Sequence, residues 1–256
     1  IVVPQDAADD VVATGFALAK ILGKIPVRAG NSPGFIGNRI LGKYGDCAAH
    51  MMEDGATPYE IDAAIVAFGY PMGLHAMYDL AGLDIGWDNR KAAQDKHDPA
   101  ERYVEIADRI CERGWFGQKT GRGFYLYPGG ARIGTPDPEI LALIEAERAK
   151  KSIMARKFTA DEIMARYLAA MVNEACEVLR ESVALKPSDI DVTFVHGYGF
   201  PRYRGGPMKY ADSYGLDRLL GDIRRYGQDD PIFWQASPLL EELVASEQTF
   251  DDLNKG

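Results

Sequence analysis

Asn38 is the side chain of this sequence best placed to do chemistry. An amide both donates and accepts hydrogen bonds. Asn38 stands between apolar Ile36 and Ile40, and that spacing puts it near the first turn of a helix. On spacing alone, a capping or turn-satisfying asparagine is the commoner role. The stretch that carries it is Asn31-Ser32-Pro33-Gly34-Phe35-Ile36-Gly37-Asn38-Arg39. Pro33 and Gly34 break the pattern before it, and the glycine permits a backbone shape or a close approach that a side chain would block. A second candidate is Lys119, inside Phe116-Gly117-Gln118-Lys119-Thr120-Gly121-Arg122-Gly123-Phe124-Tyr125. Glycines around a lysine invite a phosphate-binding reading, but the G-x-x-x-x-G-K-[ST] spacing is missing and no strand precedes it. A tight structural turn is the stronger reading there.

Composition removes several classes of function. The chain has 256 residues, 46% of them hydrophobic, enough to bury a core in one large or two modest domains. A net charge of −9 argues against a nucleic-acid partner, which would require a basic field. No apolar run is long enough to span a bilayer, and no signal peptide opens the chain. No His/Cys cluster has zinc spacing. Cys47, Cys111 and Cys176 are odd in number and far apart; Cys47 and Cys176 fall on apolar helix faces, so buried free thiols are expected. The chain begins at Ile1 as though already inside a domain, which suggests a piece of a longer protein.

The elements that position Asn38 follow from periodicity. Asp9 to Leu22 reads as an amphipathic helix ending near Gly23, and Lys24 to Ala29 as a short strand whose Pro26 suits an edge or a strand start. The helix of Asn38 runs from about 35 to 54. Thr57-Pro58-Tyr59-Glu60 starts the next with a capping box and a proline in its first turn. Ala100 to Cys111 reads as another amphipathic helix. Asp137-Pro138 caps a charged helix to about Lys151, Thr159-Ala160-Asp161-Glu162 opens a long one, and Pro187 opens a further one that His196-Gly197-Tyr198-Gly199-Phe200-Pro201 breaks.

The two halves repeat each other. Pro58…Ile61-Asp62 matches Pro187…Ile190-Asp191 at an offset of 129, Gly69-Tyr70-Pro71 matches Gly199-Phe200-Pro201 at 130, and Gly82-Leu83-Asp84 matches Gly215-Leu216-Asp217 at 133. Arg39, Tyr44 and Met52 fall on Arg166, Met171 and Leu179 at 127. The fold class expected is therefore mainly α: two tandem repeated helical domains related by a pseudo-twofold axis and pairing within the chain, preceded by the last helix and strand of a Rossmann-type domain. The boundaries expected are 1–30 for that remnant, 31–128 and 159–256 for the helical domains, and 129–158 for a linker with a short helix. The copies differ at one telling place: Asn38 falls on Ala165, and the second copy lacks the Pro-Gly-Phe lead-in.

Together Ser32-Pro33-Gly34-Phe35-Ile36-Gly37-Asn38-Arg39, Asp79-Leu80-Ala81-Gly82-Leu83-Asp84, the 116–125 stretch and His196-Gly197-Tyr198-Gly199-Phe200-Pro201 resemble the C-terminal helical domains of the 3-hydroxyacyl-CoA dehydrogenase family. The resemblance is to the tandem pair in multifunctional fatty-acid β-oxidation proteins of the peroxisomal bifunctional type, and it covers nearly the whole chain. It implies NAD-dependent oxidation of a (3S)-3-hydroxyacyl-CoA to the 3-ketoacyl-CoA, with a histidine base and an orienting glutamate. It also implies that Asn38 is the asparagine that completes the site and contacts the acyl-CoA substrate. His196 matches a substrate-contacting position in the second repeat, where a histidine can change charge near neutral pH; a packed loop histidine is the equal alternative. The family's base and its dinucleotide fingerprint are not in this sequence. Gly121-x-Gly123 and Gly197-x-Gly199 do not continue as G-x-G-x-x-G, and His50, His75, His97 and His196 do not match the base. The resemblance thus implies NAD in the full-length enzyme, none bound to this chain, and a missing N-terminal NAD-binding domain as partner. The chain alone is expected to be inactive. Leu74 departs from the family, where proline usually follows Met-Gly. Arg202, Arg204 and Lys209 are candidates for CoA phosphates, with solvated surface charge the better reading.

Two other readings compete. One is a non-catalytic helical interaction or dimerisation module. The other is a different dehydrogenase with a helical second domain, of the 6-phosphogluconate or hydroxyisobutyrate type, against which the 119–125 motif argues. The C-terminal Asn254-Lys255-Gly256 is not a peroxisomal Ser-Lys-Leu signal, so the expected location is a bacterial cytosol.

Overall fold

A computed structural model describes residues 1–93 and 98–255; His97, one of the four histidines considered above, lies outside them, as does Gly256. The described residues form a mainly helical protein in two units, one made of Ile1–Tyr44 with Leu168–Gly256 and the other of Gly45–Tyr167. Two long helices, α2 (Gly37–Asp54) and α8 (Ala160–Arg180), run through the 44/45 and 167/168 boundaries. Among the described residues no helix is long and apolar enough to cross a membrane.

The unit of residues 45–167 contains α3 (Pro58–Phe68), α4 (Leu74–Ala81), α5 (Leu83–Ala93), α6 (Ile106–Glu112) and α7 (Pro138–Lys150). The capping box that opens α3 is present: Thr57 Oγ1 accepts from the Glu60 amide at 3.1 Å, and Glu60 Oε2 accepts from the Thr57 amide at 2.8 Å. Asp137 caps α7 by accepting from the Glu139 amide at 3.0 Å. The apolar faces meet in a core that includes Met51, Ile61, Ile65, Ile106, Ile110 and Ile140. The helix expected over 100–111 is confined to Ile106–Glu112. Arg102 instead donates to Glu53 and Asp54, and the Tyr103 carbonyl accepts from Lys151 at 2.7 Å. Those tertiary partners draw 102–103 away from a helical path. In the 116–125 stretch, Lys119 ion-pairs with Asp84. A Cβ on Gly117 (φ +94) would lie 2.1 Å from the Asp79 carbonyl. The stretch is a tight turn leading into β3 (Tyr125–Leu126), which pairs antiparallel with β4 (Thr135–Pro136).

The other unit contains β1 (Val2–Val3), α1 (Asp9–Ile21), β2 (Ala29–Gly30), α9 (Pro187–Gly197), α10 (Pro207–Tyr214), α11 (Leu216–Tyr226), α12 (Pro238–Ala245) and α13 (Phe250–Leu253). The strand expected over 24–29 is only Ala29–Gly30, paired in parallel with Val2–Val3. Within 24–28, the Val27 carbonyl accepts from the Ile1 nitrogen at 2.7 Å. Burial in this unit falls on Ile36, Ile40, Tyr44, Ile190, Phe194, Met208, Ile223 and Leu240, whereas α1 buries no residue.

The repeat seen in the sequence is a repeat of structure. Helices α3, α4 and α5 have 11, 8 and 11 residues, and α9, α10 and α11 have 11, 8 and 11. In each unit an aspartate in the first of these helices accepts two amides at the start of the second. Asp62 takes His75 and Ala76 at 2.9 Å each; Asp191 takes Met208 at 2.8 Å and Lys209 at 3.2 Å. A glycine makes room in both: a Cβ on Gly73 would lie 2.2 Å from Asp62, and one on Gly206 2.3 Å from Asp191. A further aspartate repeats the device. Asp79 accepts from the Phe124 and Tyr125 amides and Asp212 from those of Phe250 and Asp251. Cys47 and Cys176 are buried, as expected, and so is Cys111; none is in a disulfide among the described residues.

Candidate functional site

Asn38 lies in the first turn of α2, and two glycines shape the backbone before it. Gly34 has φ +75, and a Cβ there would lie 2.7 Å from the Arg39 amide nitrogen. That amide donates to the Gly34 carbonyl at 3.2 Å, so the turn is closed onto the helix and only glycine fits. Phe35, exposed, takes φ +50, a left-handed conformation that costs a non-glycine residue about 1 kcal/mol or more. Gly37 is buried, and a Cβ on it would stand 2.3 Å from the ring of Tyr198.

Tyr198 follows directly on α9. Its hydroxyl donates to Asn38 Oδ1 at 2.7 Å. Its ring stacks on Phe194, centroids 4.9 Å apart, and buried Phe194 meets Tyr44 edge-on at 6.3 Å. Burial pushes the Tyr198 phenol above its ordinary pKa, so it remains a hydroxyl donor at any working pH. Arg39, next in sequence, is held by Glu174 of α8 and by Glu181 just beyond its end: Nε reaches Glu174 at 2.6 Å, and the guanidinium tip forks onto Glu181 at 2.5 and 3.0 Å. The hydrogen bonds to Glu181 outweigh partial burial and, with Glu174, hold the guanidinium well above its ordinary pKa. This fork ties the start of α2 to α8.

A groove of about 510 Å3 lies against this turn. Phe35, Ile36 and Gly37 line it, with Val192, Thr193, His196 and Gly197 of α9, the 24–27 segment, and Ile1, Val2, Ala19 and Ala29. Its side chains are mainly aliphatic, with Lys24 and His196 as those that carry or can take up charge. His196 is exposed in the last turn of α9. Asn38 is the residue after Gly37 on the same turn. The structure therefore brings the two candidates chosen from sequence to one neighbourhood, 158 positions apart in the chain (196 − 38).

His75 has the form of a base with an orienting carboxylate, since its Nδ1 is 2.8 Å from Asp62 Oδ1. It is only 2% exposed and packs edge-on against Phe124 at 4.7 Å. Sealed in this way it cannot meet a substrate, and its role is to join α3 to α4. Leu74, where the family pattern departs, is the buried first residue of α4. Lys209, one of the three basic residues considered for phosphate, is paired with Asp251. Among the described residues no group of three or more acidic, histidine or cysteine side chains could hold a metal ion.

Sequence reasoning did not single out Tyr198 or the Arg39–Glu174–Glu181 fork. Tyr198 sat inside a quoted motif, but nothing local marks a partner 160 positions away.

The chain's likenesses to known proteins agree with one another. The profile of the family described as 3-hydroxyacyl-CoA dehydrogenase, C-terminal domain, matches twice, at residues 34–127 and 163–253. The peroxisomal bifunctional enzyme of Danio rerio is 44% identical over 254 residues, covering 93% of this chain and 35% of that protein. The human peroxisomal bifunctional enzyme is 40% identical over 248 residues, covering 91% of this chain and 34% of that protein. The crystal structure of the dehydrogenase part of multifunctional enzyme 1 from C. elegans superposes with a TM-score of 0.71 at 25% identity, covering 94% of this chain and 55% of that one. The chain spans about a third of the length of the curated relatives it matches. These relatives also overturn the expected bacterial cytosol, because they are named as peroxisomal enzymes of eukaryotes.

Proposed function

The chain belongs to the 3-hydroxyacyl-CoA dehydrogenase family through its C-terminal domain, and on that premise we propose that it is the substrate-side half of a (3S)-3-hydroxyacyl-CoA dehydrogenase of fatty-acid β-oxidation. In this reading the parent protein also carries an upstream NAD-binding domain and an enoyl-CoA hydratase domain. Residues 1–30 are the tail of the dinucleotide domain, 31–128 and 159–256 the two helical domains, and 129–158 the link between them.

The observation that carries the reading is the convergence of the Asn38 turn and His196 on one largely aliphatic groove. An acyl-CoA presents an apolar chain next to a thioester and a 3-hydroxyl, and an aliphatic groove with an imidazole on its wall and the Asn38 amide on the adjoining turn suits that combination. Asn38 Oδ1 is already occupied by Tyr198, so its Nδ2 is the group available to donate to a substrate oxygen. An amide donor aimed at an oxygen that gains negative charge stabilises the transition state.

NAD, when bound, accepts the hydride from C3. In this reading its cradle belongs to the upstream domain. Gly121 and Gly123 lie in the turn before β3, and Gly197 and Gly199 end α9; neither pair opens a helix after a strand, as pyrophosphate binding requires. The expected result is that the isolated chain neither oxidises NADH with acetoacetyl-CoA nor binds NADH by calorimetry. Joined to the upstream domain it should do both. Turnover by the isolated chain would overturn this account. The alternative of a non-catalytic interaction module is separated by acyl-CoA affinity: an enzyme half in the joined protein loses affinity when the groove is filled by Thr193→Trp, and a scaffold shows none to lose.

A further inference from the structure

We propose that Tyr198 is a positioning residue for Asn38. Its hydroxyl holds the asparagine's carbonyl and thereby fixes the amide N–H2 as the face that meets substrate. The inference deepens the reading above and rests on Asn38 being the substrate-contacting amide.

An asparagine side chain has two ends of opposite polarity. Rotated by half a turn about its last torsion it offers an acceptor where it had offered a donor. An acceptor facing an oxygen that is gaining negative charge would repel it, so an unrestrained Asn38 would waste much of its time in the wrong orientation. Asn38 is exposed, and its Nδ2 has no hydrogen-bond partner among the described residues. Restraint therefore comes from the other end. A hydroxyl at 2.7 Å from Oδ1 supplies it, provided that the hydroxyl is a donor and does not move.

Both conditions are met. Burial keeps the phenol protonated, so the oxygen always has a proton to give. The ring has little freedom: it stacks on Phe194 at 4.9 Å with planes 25° apart, and Gly37 approaches it so closely that a Cβ would stand 2.3 Å from the ring and from Oη. Phe194 is itself wholly buried. The Asn38 side is equally constrained. Gly34 folds the turn onto the Arg39 amide, Phe35 is held in a left-handed conformation, and Arg39 is forked onto Glu181 at the end of α8. Backbone strain of this kind persists where surrounding structure over-determines it, often beside a functional group. Tyr198 belongs to the second repeat and Asn38 to the first. The two copies are therefore not alike in this respect. The second copy has no asparagine at the equivalent Ala165, and it supplies the tyrosine that aims the asparagine kept by the first.

Tyr198→Phe removes the hydroxyl and keeps the ring on Phe194. Two measurements test it. In the 15N-labelled 256-residue chain, the Asn38 side-chain amide should give a single pair of proton resonances, which shift and broaden in the variant while the backbone spectrum and melting temperature hold. In the catalytically complete protein, Tyr198→Phe should lower kcat about tenfold, the worth of one oriented hydrogen bond, with KM changed less than about threefold. Asn38→Ala should lower kcat further, and the double variant should be no slower than Asn38→Ala alone. Gly37→Ala, which displaces the ring without removing the hydroxyl, should reproduce the loss. A Tyr198→Phe enzyme as fast as the parent beside a slow Asn38→Ala enzyme would sink the positioning role and leave the Asn38 reading intact. So would losses that simply multiply in the double variant. A fast Asn38→Ala enzyme would sink both.

Discussion

Asp62→Ala is expected to destabilise its unit by about 3–5 kcal/mol, and Asp191→Ala its own by about 1–2 kcal/mol, although the two occupy equivalent places in the repeat. Asp62 is 4% exposed and collects four donors: the His75 amide and Nδ1, the Ala76 amide and the Tyr125 hydroxyl, all between 2.8 and 3.0 Å. Removing the carboxylate leaves those donors without an acceptor in a cavity that water does not reach readily. Asp191 collects two amides and is only partly buried, and water can take its place in part. Urea denaturation of the two single variants measures the difference. Equal midpoint shifts would mean that the third and fourth donors to Asp62 contribute nothing.

The same pair should respond to pH with opposite sign. Burial raises the Asp62 pKa, but the charge and hydrogen bond of His75, with the His75 and Ala76 amides, bring it below the ordinary value. An acid depressed in the folded state stabilises above its unfolded pKa of about 4, and that contribution disappears as pH falls through the folded value. Asp191 is the reverse. Burial pushes it up, the Met208 and Lys209 amides pull it down, and nearby Asp212 and Asp251 raise it again, leaving it at about 7. The folded chain then holds a proton that the unfolded chain releases, so the site favours folding most below about pH 4 and progressively less up to about 7. Asp191→Asn should flatten the stability profile between about pH 4 and 7, and Asp62→Asn should flatten it only at the acid end. Stability-versus-pH curves of the two variants decide this, and identical curves would refute it.

How much of this was legible beforehand depended on how far apart the partners lie. The Thr57–Glu60 box spans three residues, and its letters are its geometry. The repeat was legible because offsets of 127 to 133 recur in order, and it led to the tandem helical fold. The same match placed Asp62 opposite Asp191, yet their task stayed hidden. An aspartate on an apolar face declares only that it needs donors; which amides supply them depends on how α4 and α10 pack. Residues 100–105 and 24–28 were misread for a related reason. Each has a credible local pattern, and each is decided elsewhere: Arg102 by Glu53 and Asp54, and the extent of the strand near 24–30 by Val2–Val3, which pair with Ala29 and Gly30. At the candidate site, Asn38 and His196 were legible as residue types in motifs. Tyr198 was not, because its only distinguishing feature is a bond to a residue in the other copy.

Asn38→Ala is expected to lower kcat of the complete enzyme by about 10²–10³-fold with little change in fold. The size follows from what Nδ2 does. If it donates to the oxygen on which charge shifts as C3 is oxidised, the bond is stronger in the transition state than in the bound substrate, and its loss falls on kcat rather than on KM. The fold should tolerate the change because Asn38 is exposed and its side chain forms no hydrogen bond in the core. The Tyr198 hydroxyl, left without its acceptor, lies where water can replace it, at a cost of about 1 kcal/mol. Asn38→Asp separates charge from shape. It keeps the acceptor for Tyr198 but puts a carboxylate where the donor was, so it should be slower than alanine at neutral pH. The useful comparison is thus among Asn, Ala and Asp at one position, by steady-state kinetics with acetoacetyl-CoA and NADH. An order of Asn, then Ala, then Asp supports a donor facing developing negative charge. An aspartate variant as fast as the parent would mean that position 38 serves only as an acceptor for Tyr198, and the asparagine would then belong to the helix start rather than to the chemistry.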